Sequence, residues 1–321
     1  MSVSEWPNVW DTTLLQKFKL GFWRKTSRKS FERARLQVID DIVSKYNQRV
    51  VGEIKKFDPD ITLFLKGSII QPETALEVSD HCTNILWCYD KAIYYPNVVE
   101  AGEYYDRVFV VDPSDIPDLR NYGIEAELLP FGFDSDIYSP HDTKFKRDIC
   151  FVGRLYENRL RILKSVIENE ALNVEIWGQQ YTRKNIPKYL MYKAFYNNID
   201  RSLHNYNIDH NDINSIYTSS RIGLNIQRGT SKRAVNPRTF ELLGSECFQL
   251  VDENELLSEL FEIGEEIVTY SDETDLREKI RYYLQNEAER KAIAQKGREA
   301  VHKSHTFLER AKTMLSRTDL N

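Results

Sequence analysis

The feature that most restricts the fold of this chain is an alternation of short apolar runs with helical segments, which starts near residue 57. Each run holds about five mostly apolar residues, so it is too short for a helix and continuous enough for a strand covered on both faces. The runs are ITLFL (61–65), NILWCY (84–89), RVFVV (107–111), AELLP (126–130), ICFVG (149–153), NVEIW (173–177), RIGLNI (221–226), CFQLV (247–251) and EIVTY (266–270). Strands that alternate with helices predict right-handed βαβ units and therefore parallel sheets.

The alternation pauses once, at residues 130–148, where PFGFDSDIYSPHDTKFKRD is rich in Pro, Asp and Ser and has no periodicity. With 321 residues, the chain is long enough for two domains of about 150 residues each. We therefore expect an α/β protein with two doubly wound parallel-sheet domains that face a cleft. Ligands of such sheets bind at the carboxyl ends of the strands, so the cleft is the expected site.

A basic segment at residues 16–36 precedes the alternation and interleaves Lys and Arg with Phe and Trp. Its apolar spacing predicts an amphipathic helix from about Ser30 to Ile54. The segment fits either a surface for an anionic acceptor or a membrane face, or ordinary packing of the aromatic rings beneath solvated charges. We favour ordinary packing, so peripheral membrane contact through 16–36 is the less favoured alternative.

Charge and cysteine usage exclude several classes of protein. Lys+Arg 44 against Asp+Glu 49 give a net charge of −5, so any polyanion site must be a local patch. No run approaches the roughly 18 apolar residues of a membrane span, and the first residues lack the layout of a signal peptide. The four cysteines form no CxxC and have no His at zinc-ligand spacing, so we expect reduced thiols in a cytoplasmic protein.

Several catalytic signatures are absent from the sequence. No G-x-G-x-x-G follows a strand and no GxxxxGK[ST] occurs, which removes the main marks of dinucleotide oxidoreductases and P-loop NTPases. Neither H-E-x-x-H nor G-x-S-x-G is present. Asp134-Ser135-Asp136 has the D-x-D form of a metal–diphosphate site, but it lies in the linker, where turn chemistry explains it more simply. We therefore expect no metal ion there.

The strand at 149–153 runs directly into a cationic loop. Gly153 lets the main chain approach a ligand closely, Arg154 follows it, and a helix starts near Asn158 with Arg159 in its first turn. A helix N-terminus with nearby arginines suits a diphosphate, because both supply N–H donors and positive charge. This loop is the first candidate phosphate site.

A second cationic loop follows the run RIGLNI. Arg228, Lys232 and Arg238 flank the start of the next helix, which Asn236 is placed to cap. Glu241, in the first turns of that helix, is expected to stay ionised beside the cations and to accept hydrogen bonds from a ribose diol. The alternative is that Glu241 only complements the helix dipole. The surrounding cations favour the functional interpretation.

These residues carry a resemblance to a known family. FVGRLYENR, IGLNI, NPRTFELLGSECFQLVDENELLSELFEIGEEIVTYSD and REAVHKSHTFLERAKTML resemble the C-terminal half of the CgeB-like (spore maturation type) branch of group 1 glycosyltransferases. FDPDITLFLKGSIIQPE, WCYD, YDRVFVVDPSD and ELLPFGFDSDIYSP are similar to the N-terminal half of that branch. The match covers roughly residues 55–317.

The resemblance implies a GT-B architecture of two Rossmann-like domains. Residues 1–140 would form the acceptor-side domain, with its first strand missing or altered, and residues 141–300 the domain that holds a nucleotide-sugar donor. Residues 301–321 would form a C-terminal helix that packs back toward the first domain. The donor would be a UDP-, GDP- or dTDP-linked sugar, and no cofactor or obligatory metal is implied. The acceptor stays open among a glycan, a lipid-linked molecule, a protein and a nucleic acid.

The resemblance also implies roles for individual residues. Gly153 and Arg154 match the strand and loop that face the donor diphosphate, and Arg159 matches a recurrent arginine after them. Arg238 and Glu241 match an R-x-F-E segment in which the Glu holds the donor ribose.

Three further positions follow from the same match. Thr239 would donate to a phosphate, Trp177 ends the strand near which the nucleobase should lie, and Asp90 matches an acidic residue that faces the cleft. The catalytic candidates are Asp90, Arg154 and Arg238, with Asp90 as the base. The donor-binding candidates are Gly153, Arg159, Trp177, Arg228, Lys232, Thr239 and Glu241.

Two departures from the family pattern keep other functions open. The wider superfamily has a Glu where this chain has Arg233, so the analogy with retaining enzymes is unsupported. Residues 1–30 contain no opening strand with a glycine-rich turn. A degenerate GT-B chain that acts as a binding or assembly partner, and a GT-B-type nucleotide-sugar epimerase, are therefore the alternatives.

Overall fold

The computed structural model describes residues 28–169, 171–178, 202–204, 208–227 and 233–318. The chain folds into two compact units. The first unit comprises Met1–Val110, Ser114–Leu129 and Arg317–Asn321, and the second comprises Val111–Pro113 and Pro130–Ser316. The chain thus passes between the units at Leu129–Pro130, where the predicted linker 130–148 begins.

The first unit is built on a four-stranded parallel sheet with the strand order β1-β2-β3-β4. Its helices and strands are α1 (Arg28–Phe57), β1 (Ile61–Leu65), α2 (Pro72–Ser79), β2 (Thr83–Cys88), α3 (Pro96–Glu100), β3 (Arg107–Val110), α4 (Asp115–Arg120) and β4 (Glu127–Leu128). Because the strand order follows the chain order, right-handed crossovers place the connecting helices on one face of the sheet. Phe64 on that face is buried in the core, whereas Leu63 and Leu65 on the other face of β1 are exposed.

The second unit is built on a six-stranded parallel sheet with the strand order β10-β9-β8-β5-β6-β7. Its elements are β5 (Arg147–Val152), α5 (Glu157–Asn169), β6 (Val174–Trp177), β7 (Leu203–His204), α6 (His210–Thr218), β8 (Ser220–Asn225), α7 (Pro237–Gly244), β9 (Gln249–Asp252), α8 (Glu255–Leu260), β10 (Val268–Tyr270), α9 (Glu273–Gln285), α10 (Glu287–Ser304) and α11 (Phe307–Ser316). Its core is formed by apolar residues of the central strands and of the helices on them, including Ile149, Ile222 and Leu250.

The direction of winding reverses in this second sheet at β5. The chain proceeds outward from β5 through β6 to β7, then returns to β8 on the other side of β5 and continues outward to β10. Such a reversal opens a crevice outside the carboxyl ends of the two strands that flank it. The loops that follow β5 and β8 therefore border the expected ligand site of this unit.

The nine predicted strands are confirmed, with ends that differ from the predicted ends by up to two residues. The predicted N-terminal helix is present as α1, and the C-terminal region forms two helices, α10 and α11. Strand β7 was not predicted, because two residues give no apolar run. Most of the segment 16–36 lies outside the described residues, so the proposed anionic or membrane surface stays a prediction.

The second unit ends at Ser316, and the last residues, Arg317–Asn321, belong to the first unit. In the second unit, Arg310 in α11 donates hydrogen bonds to the carbonyl oxygen of Phe131, and the Phe307 amide donates to that of Phe133. In the first unit, the Arg317 carbonyl oxygen accepts a hydrogen bond from Arg107. Among the described helices, none combines the length and the apolar character needed to cross a membrane.

Candidate functional site

Two glycines extend the hydrogen bonding of the second sheet beyond the carboxyl ends of β5 and β6. The Gly153 amide donates to the Trp177 carbonyl oxygen at 2.9 Å, and the Gly178 amide donates to that of His204 at 3.2 Å. Gly153 has φ +155° and Gly178 has φ +132°, values that residues with a side chain rarely adopt. Glycine at 153 therefore fits its predicted role of keeping the main chain accessible at the crevice.

Two arginines lie against the main chain at Gly153. A Cβ atom placed on this glycine would be 3.3 Å from Nη1 of Arg159 and 3.5 Å from Nε of Arg238. It would also lie 3.3 Å from Cζ of Phe151. The structure thus brings together three predicted site residues, at the carboxyl end of β5.

Arg238 is held by the end of β5. Its Nε donates a hydrogen bond to the carbonyl oxygen of Val152, which ties the first turn of α7 to that strand. Within the described ranges, no acceptor is hydrogen-bonded to its two terminal nitrogens. With Nε fixed in this way, the two terminal nitrogens of the partly buried guanidinium form a planar pair of donors for an anion.

Arg159 is fixed more firmly. It is 8% exposed, its Nε donates to the Ile226 carbonyl oxygen at 2.9 Å, and its Nη1 donates to the Arg154 carbonyl oxygen at 2.9 Å. Its guanidinium also lies over the rings of Phe151 and Tyr156, at 5.5 and 5.3 Å from the ring centres. Arg159 therefore connects the loops after β5 and β8 and adds positive charge between them. The side chain of Arg154, in contrast, is exposed.

A buried polar network underlies the start of α7. Nδ2 of Asn225 donates to Oγ1 of Thr239 at 2.9 Å and to Oε1 of Gln249 at 3.3 Å. Nε2 of Gln249 donates to the Thr239 carbonyl oxygen at 3.0 Å. Because Thr239 is fully buried within these contacts, its hydroxyl supports the start of α7, and its predicted contact with a phosphate stays a prediction.

Asn236 does not cap α7 as the sequence suggested. Its backbone has the extended conformation of a cap, but its side chain makes no capping hydrogen bond. Instead, its Nδ2 donates to Oδ1 of Asn225 at 2.8 Å and to Oε1 of Gln227 at 2.9 Å. Gln227 is 6% exposed, and neither its Nε2 nor Oδ1 of Asn236 has a hydrogen-bond partner in the part of the chain that the structure describes.

Asp252 is a site residue that the sequence analysis missed. It ends β9, and its Oδ1 accepts a hydrogen bond from the Gln227 amide at 2.8 Å. Burial raises the pKa of Asp252 to about 6, although that hydrogen bond and the charge of Arg159 act to lower it. An acidic residue directly after the buried run CFQLV was the available signal.

Glu241 lies one turn beyond Arg238 in a largely buried setting. Its Oε2 accepts a long hydrogen bond from the Tyr217 hydroxyl at 3.4 Å. Burial raises the pKa of Glu241, while the charge of Arg238 and the neighbouring His210 and tyrosine hydroxyls act to lower it. One of these tyrosines, Tyr138, also pairs with Nδ1 of His210 at 2.6 Å. The carboxylate is therefore placed among hydrogen-bond donors.

Trp177 ends β6 and stacks on His204, which ends β7. The two ring centres are 3.8 Å apart and the ring planes differ by 9°. His204 also lies 3.6 Å from Glu175, measured from Nε2 to Oε2. Trp177 ends its strand as the sequence indicated, and its contact with a nucleobase stays a prediction. Arg228 and Lys232, the remaining predicted donor-binding residues, lie outside the described residues.

Asp90 belongs to the first unit. It follows β2, and its Oδ2 accepts from Nζ of Lys66 at 2.6 Å and from the Tyr95 hydroxyl at 3.0 Å. The hydrogen bond to Asp90 is the main reason that the pKa of Lys66 is raised. Lys66 directly follows β1 and was not predicted as a site residue.

Two other polar positions have structural explanations. Arg233, which replaces the superfamily glutamate, forms an exposed ion pair with Glu255 at 3.0 Å. Oδ1 of Asp134 accepts from the Asp136 amide at 2.9 Å, which is the turn interaction expected of Asp-Ser-Asp. In the described ranges, no group of three or more His, Cys, Asp or Glu residues is arranged to hold a metal ion.

Comparisons with known proteins agree on the fold. Residues 159–316 match a family model described as Glycosyl transferase-like. No curated protein matches the chain in sequence. Sucrose-phosphate synthase from Thermosynechococcus elongatus aligns with 86% of this chain and 77% of its own, at 12% identity and a TM-score of 0.64.

Two further solved structures are similar to this chain over most of its length. Anabaena HepE in complex with UDP-glucose aligns over 94% of both chains, at 10% identity and a TM-score of 0.62. A putative UDP-N-acetylglucosamine 2-epimerase from Listeria monocytogenes aligns with 87% of this chain and 80% of its own, at 14% identity and a TM-score of 0.53. At these identities the similarity shows the fold, which is GT-B with two Rossmann-like domains.

Proposed function

We propose that this protein is a metal-independent glycosyltransferase that moves a sugar from a nucleoside-diphosphate sugar to an acceptor. We place it in the CgeB-like branch, in the cytoplasm, with a UDP-, GDP- or dTDP-linked donor. The family match over residues 159–316 and the GT-B fold support the class of reaction. The observation that carries the proposal is the convergence of Arg159 and Arg238 on the glycine that follows β5.

The donor diphosphate is assigned to the carboxyl ends of β5 and β8. This is the point where the winding of the sheet reverses, and phosphates bind there in sheets of this kind. Gly153 gives the phosphates room near the main chain, while Arg238 and the exposed Arg154 supply donors. Arg228 and Lys232 remain proposed donor-binding residues on the sequence pattern alone.

The two ends of the nucleoside have separate candidate contacts. The ribose is assigned to Glu241, since an ionised carboxylate accepts from both hydroxyls of a vicinal diol. The nucleobase is assigned to the stacked pair Trp177 and His204, because flat rings stack favourably on a base.

In the transfer step, the bond between the anomeric carbon and the diphosphate oxygen breaks. A bond forms from that carbon to an acceptor oxygen, whose proton passes to a base. Negative charge builds up on the departing diphosphate, so Arg154 and Arg238 stabilise the transition state more than the bound donor. We assign the base to Asp90, which is oriented by Lys66 and Tyr95. No metal ion is required in this scheme, because the arginines and the start of α7 supply the positive charge.

Two alternatives remain distinct from this proposal. A degenerate GT-B chain would bind nucleotide or a protein partner without turnover, and the replacement of the superfamily glutamate by Arg233 is the observation that favours it. An epimerase shares the fold, as the Listeria structure shows, but such chemistry calls for acidic and His groups around the sugar. The predicted charged site residues of the second unit are cations apart from Glu241.

The test is thermal unfolding with UDP, GDP, dTDP, ADP and CMP in the presence of a chelator. A ligand present at 100 times its Kd adds about 2.7 kcal/mol of stability, so one or two nucleotides should raise the Tm by several degrees. Slow hydrolysis of the matching nucleotide sugar then separates an enzyme from a binder, and a change of sugar configuration without transfer identifies an epimerase. Stabilisation by none of the nucleotides contradicts the proposal.

A further inference from the structure

A second cluster of charged and aromatic side chains lies at the carboxyl edge of the first sheet. The ends of β1 and β2 are adjacent, with Leu65 opposite Trp87 in the parallel register. Lys66 and Asp90 follow these two strands and form an ion pair at 2.6 Å. The Tyr95 hydroxyl donates a hydrogen bond to the same carboxylate. Lys66 and Asp90 stay 30% and 40% exposed, so both can contact a ligand.

The main chain holds Lys66 in an uncommon conformation. Lys66 has φ +73° and Gly67 has φ +69°, and the Lys66 amide donates to the Trp87 carbonyl oxygen at 2.8 Å. A residue with a side chain rarely adopts a positive φ, and such conformations concentrate at functional sites. Here the conformation aims the ammonium group across the strand ends to Asp90. An ion pair this exposed contributes little to folding, so stability alone does not account for the strained backbone.

Aromatic rings complete the cluster. Nζ of Lys66 lies 5.7 Å from the ring centre of Tyr89 and 5.0 Å from that of Tyr95. Tyr89 is 40% exposed, and Tyr94, in the short helix just before Tyr95, is 73% exposed. A surface with exposed rings beside a carboxylate and an ammonium group has both an apolar face and directed polar groups.

We propose that the cluster of Lys66, Tyr89, Asp90 and Tyr95 is a binding site for a neutral carbohydrate, which serves as the acceptor. This inference rests on the proposed glycosyltransferase function and narrows its acceptor to a glycan. The Asp90 carboxylate accepts from sugar hydroxyls, the Lys66 ammonium group donates to them, and the Tyr89 ring packs against the apolar face of the sugar ring.

The charges of the cluster argue against two of the other acceptor classes, a nucleic acid and a lipid-linked molecule. Lys66 and Asp90 neutralise each other, whereas a nucleic acid needs an excess of positive charge along its backbone. A lipid tail needs a continuous apolar groove, and an ion pair interrupts one here. An uncharged ligand with many hydroxyl groups fits best. Its hydroxyls can hydrogen-bond to Lys66 and Asp90 while its ring packs on Tyr89.

The experiment measures binding of neutral methyl glycosides and disaccharides of glucose, galactose, mannose and N-acetylglucosamine to the full chain by saturation-transfer NMR. Transfer from the donor found in the nucleotide screen is measured on the same sugars. A dT12 oligonucleotide, dodecyl phosphate and a Ser/Thr-rich peptide serve as the competing acceptor classes. We expect at least one sugar to bind and to act as acceptor. Use of a competing class in place of the sugars overturns the inference.

Two variants and two matched controls locate the site. Tyr89→Ala and Lys66→Met should raise the acceptor KM at least tenfold while the nucleotide Kd stays within twofold. Tyr122→Ala removes another exposed tyrosine of the first unit, and Lys55→Met removes the exposed ion pair with Glu77, so both should behave as wild type. Because all four substitutions lie in the first unit, thermal unfolding of each variant is compared with that of the wild type to check that this unit is folded. The nucleotide Kd reports an intact second unit.

The outcomes separate this inference from the proposed function. If nucleotides bind and hydrolysis occurs but no sugar binds, or if Tyr89→Ala and Lys66→Met bind sugar as the controls do, the carbohydrate site is wrong and the transferase proposal stands. If no nucleotide binds to the wild-type protein, the proposed function itself fails.

Discussion

Nε of Arg238 donates a hydrogen bond to the main-chain carbonyl oxygen of Val152, and this contact joins the first turn of α7 to the last residue of β5. The next residue, Gly153, packs against the same guanidinium group. Helix and strand thus set the position of a cation at the point where the sheet reverses its winding. A diphosphate bound there meets an arginine that is already oriented, which limits the loss of side-chain freedom on binding.

Replacement of Arg154 by alanine tests the role of charge on the leaving group. The side chain is exposed, so the variant should fold normally. We expect kcat to fall about 100-fold in Arg154→Ala and in Arg238→Ala, because each removes a donor to the developing negative charge. Steady-state kinetics on the full chain measure this, with Arg233→Ala as a control, since Arg233 is paired with Glu255 at the surface. Unchanged turnover in both variants would remove the proposed mechanism.

Gly153→Ala tests the close approach of the ligand to the main chain. The new Cβ would lie 3.3 Å from Nη1 of Arg159 and from Cζ of Phe151, and φ +155° disfavours alanine. We expect nucleotide-diphosphate affinity to fall at least tenfold, as measured by calorimetry. Gly264→Ala is the matched control, because Gly264 also has a positive φ, +87°, but no atom within 4 Å of the added carbon. Equal nucleotide affinities in Gly153→Ala and Gly264→Ala would contradict the prediction, because they would show that Gly153 does not border the nucleotide site.

Thr239→Val separates support of the helix from contact with the donor. Its hydroxyl is fully buried and accepts from Asn225, so the variant should lose about 1–3 kcal/mol of unfolding free energy. The nucleotide Kd, measured at a temperature where both proteins are folded, should not change. Thr218→Val, at the end of α6, serves as a control for the loss of a threonine hydroxyl. A large rise in the nucleotide Kd with unchanged stability would instead indicate that the Thr239 hydroxyl contacts the donor phosphate.

The raised pKa of Asp252 predicts a pH-dependent stability. Burial shifts this pKa from an ordinary value of 3.8 to about 6, so between these values the folded protein binds a proton that the unfolded chain releases. Stability contributed by Asp252 therefore falls as pH rises through this window and stays constant above it. The upper bound is about 3 kcal/mol, since one pKa unit corresponds to about 1.4 kcal/mol.

Asp252→Asn should remove this dependence while an amide oxygen still accepts from Gln227. Denaturant unfolding measures the free energy of unfolding of both proteins at pH 4.5 and pH 7.5. The variant should gain about 2 kcal/mol of stability relative to wild type at the higher pH, because about 1.5 units of the window lie above pH 4.5. A difference between the two proteins that is the same at both pH values would contradict the assignment.

Much of the fold could be predicted because each strand is a continuous apolar run between helical segments. ICFVG and RIGLNI, for example, correspond to β5 and β8, and their order in the sheet follows from the reversal of winding. Strand β7 could not be predicted, because Leu203 and His204 do not lie in an apolar run. The equally short β4 was predicted, because it lies within the apolar run AELLP. Local patterns therefore determine strands that lie within an apolar run, whereas β7 depends on its neighbour in the sheet.

The candidate site was predictable in part for the same reason. Gly153, Arg159 and Arg238 follow from residue types at strand ends and helix starts. Asp252 and Lys66 were missed because their importance comes from contacts between adjacent strand ends, Asp252 with Gln227 and Lys66 with Asp90. A single polar residue after a strand does not reveal such a partner. The burial of Thr239 could not be predicted, because the sequence does not show which face of a helix start is buried.

The most direct test of the account is calorimetric titration of the full chain with a nucleoside diphosphate and with the corresponding monophosphate, in the presence of a chelator. The nucleotide is the one selected by the thermal screen. We predict that the diphosphate binds at least tenfold more tightly than the monophosphate, and that the double variant Arg154→Ala/Arg238→Ala abolishes this preference. Equal affinity for the two nucleotides, or a preference that survives in the double variant, would contradict the placement of the diphosphate at the end of β5.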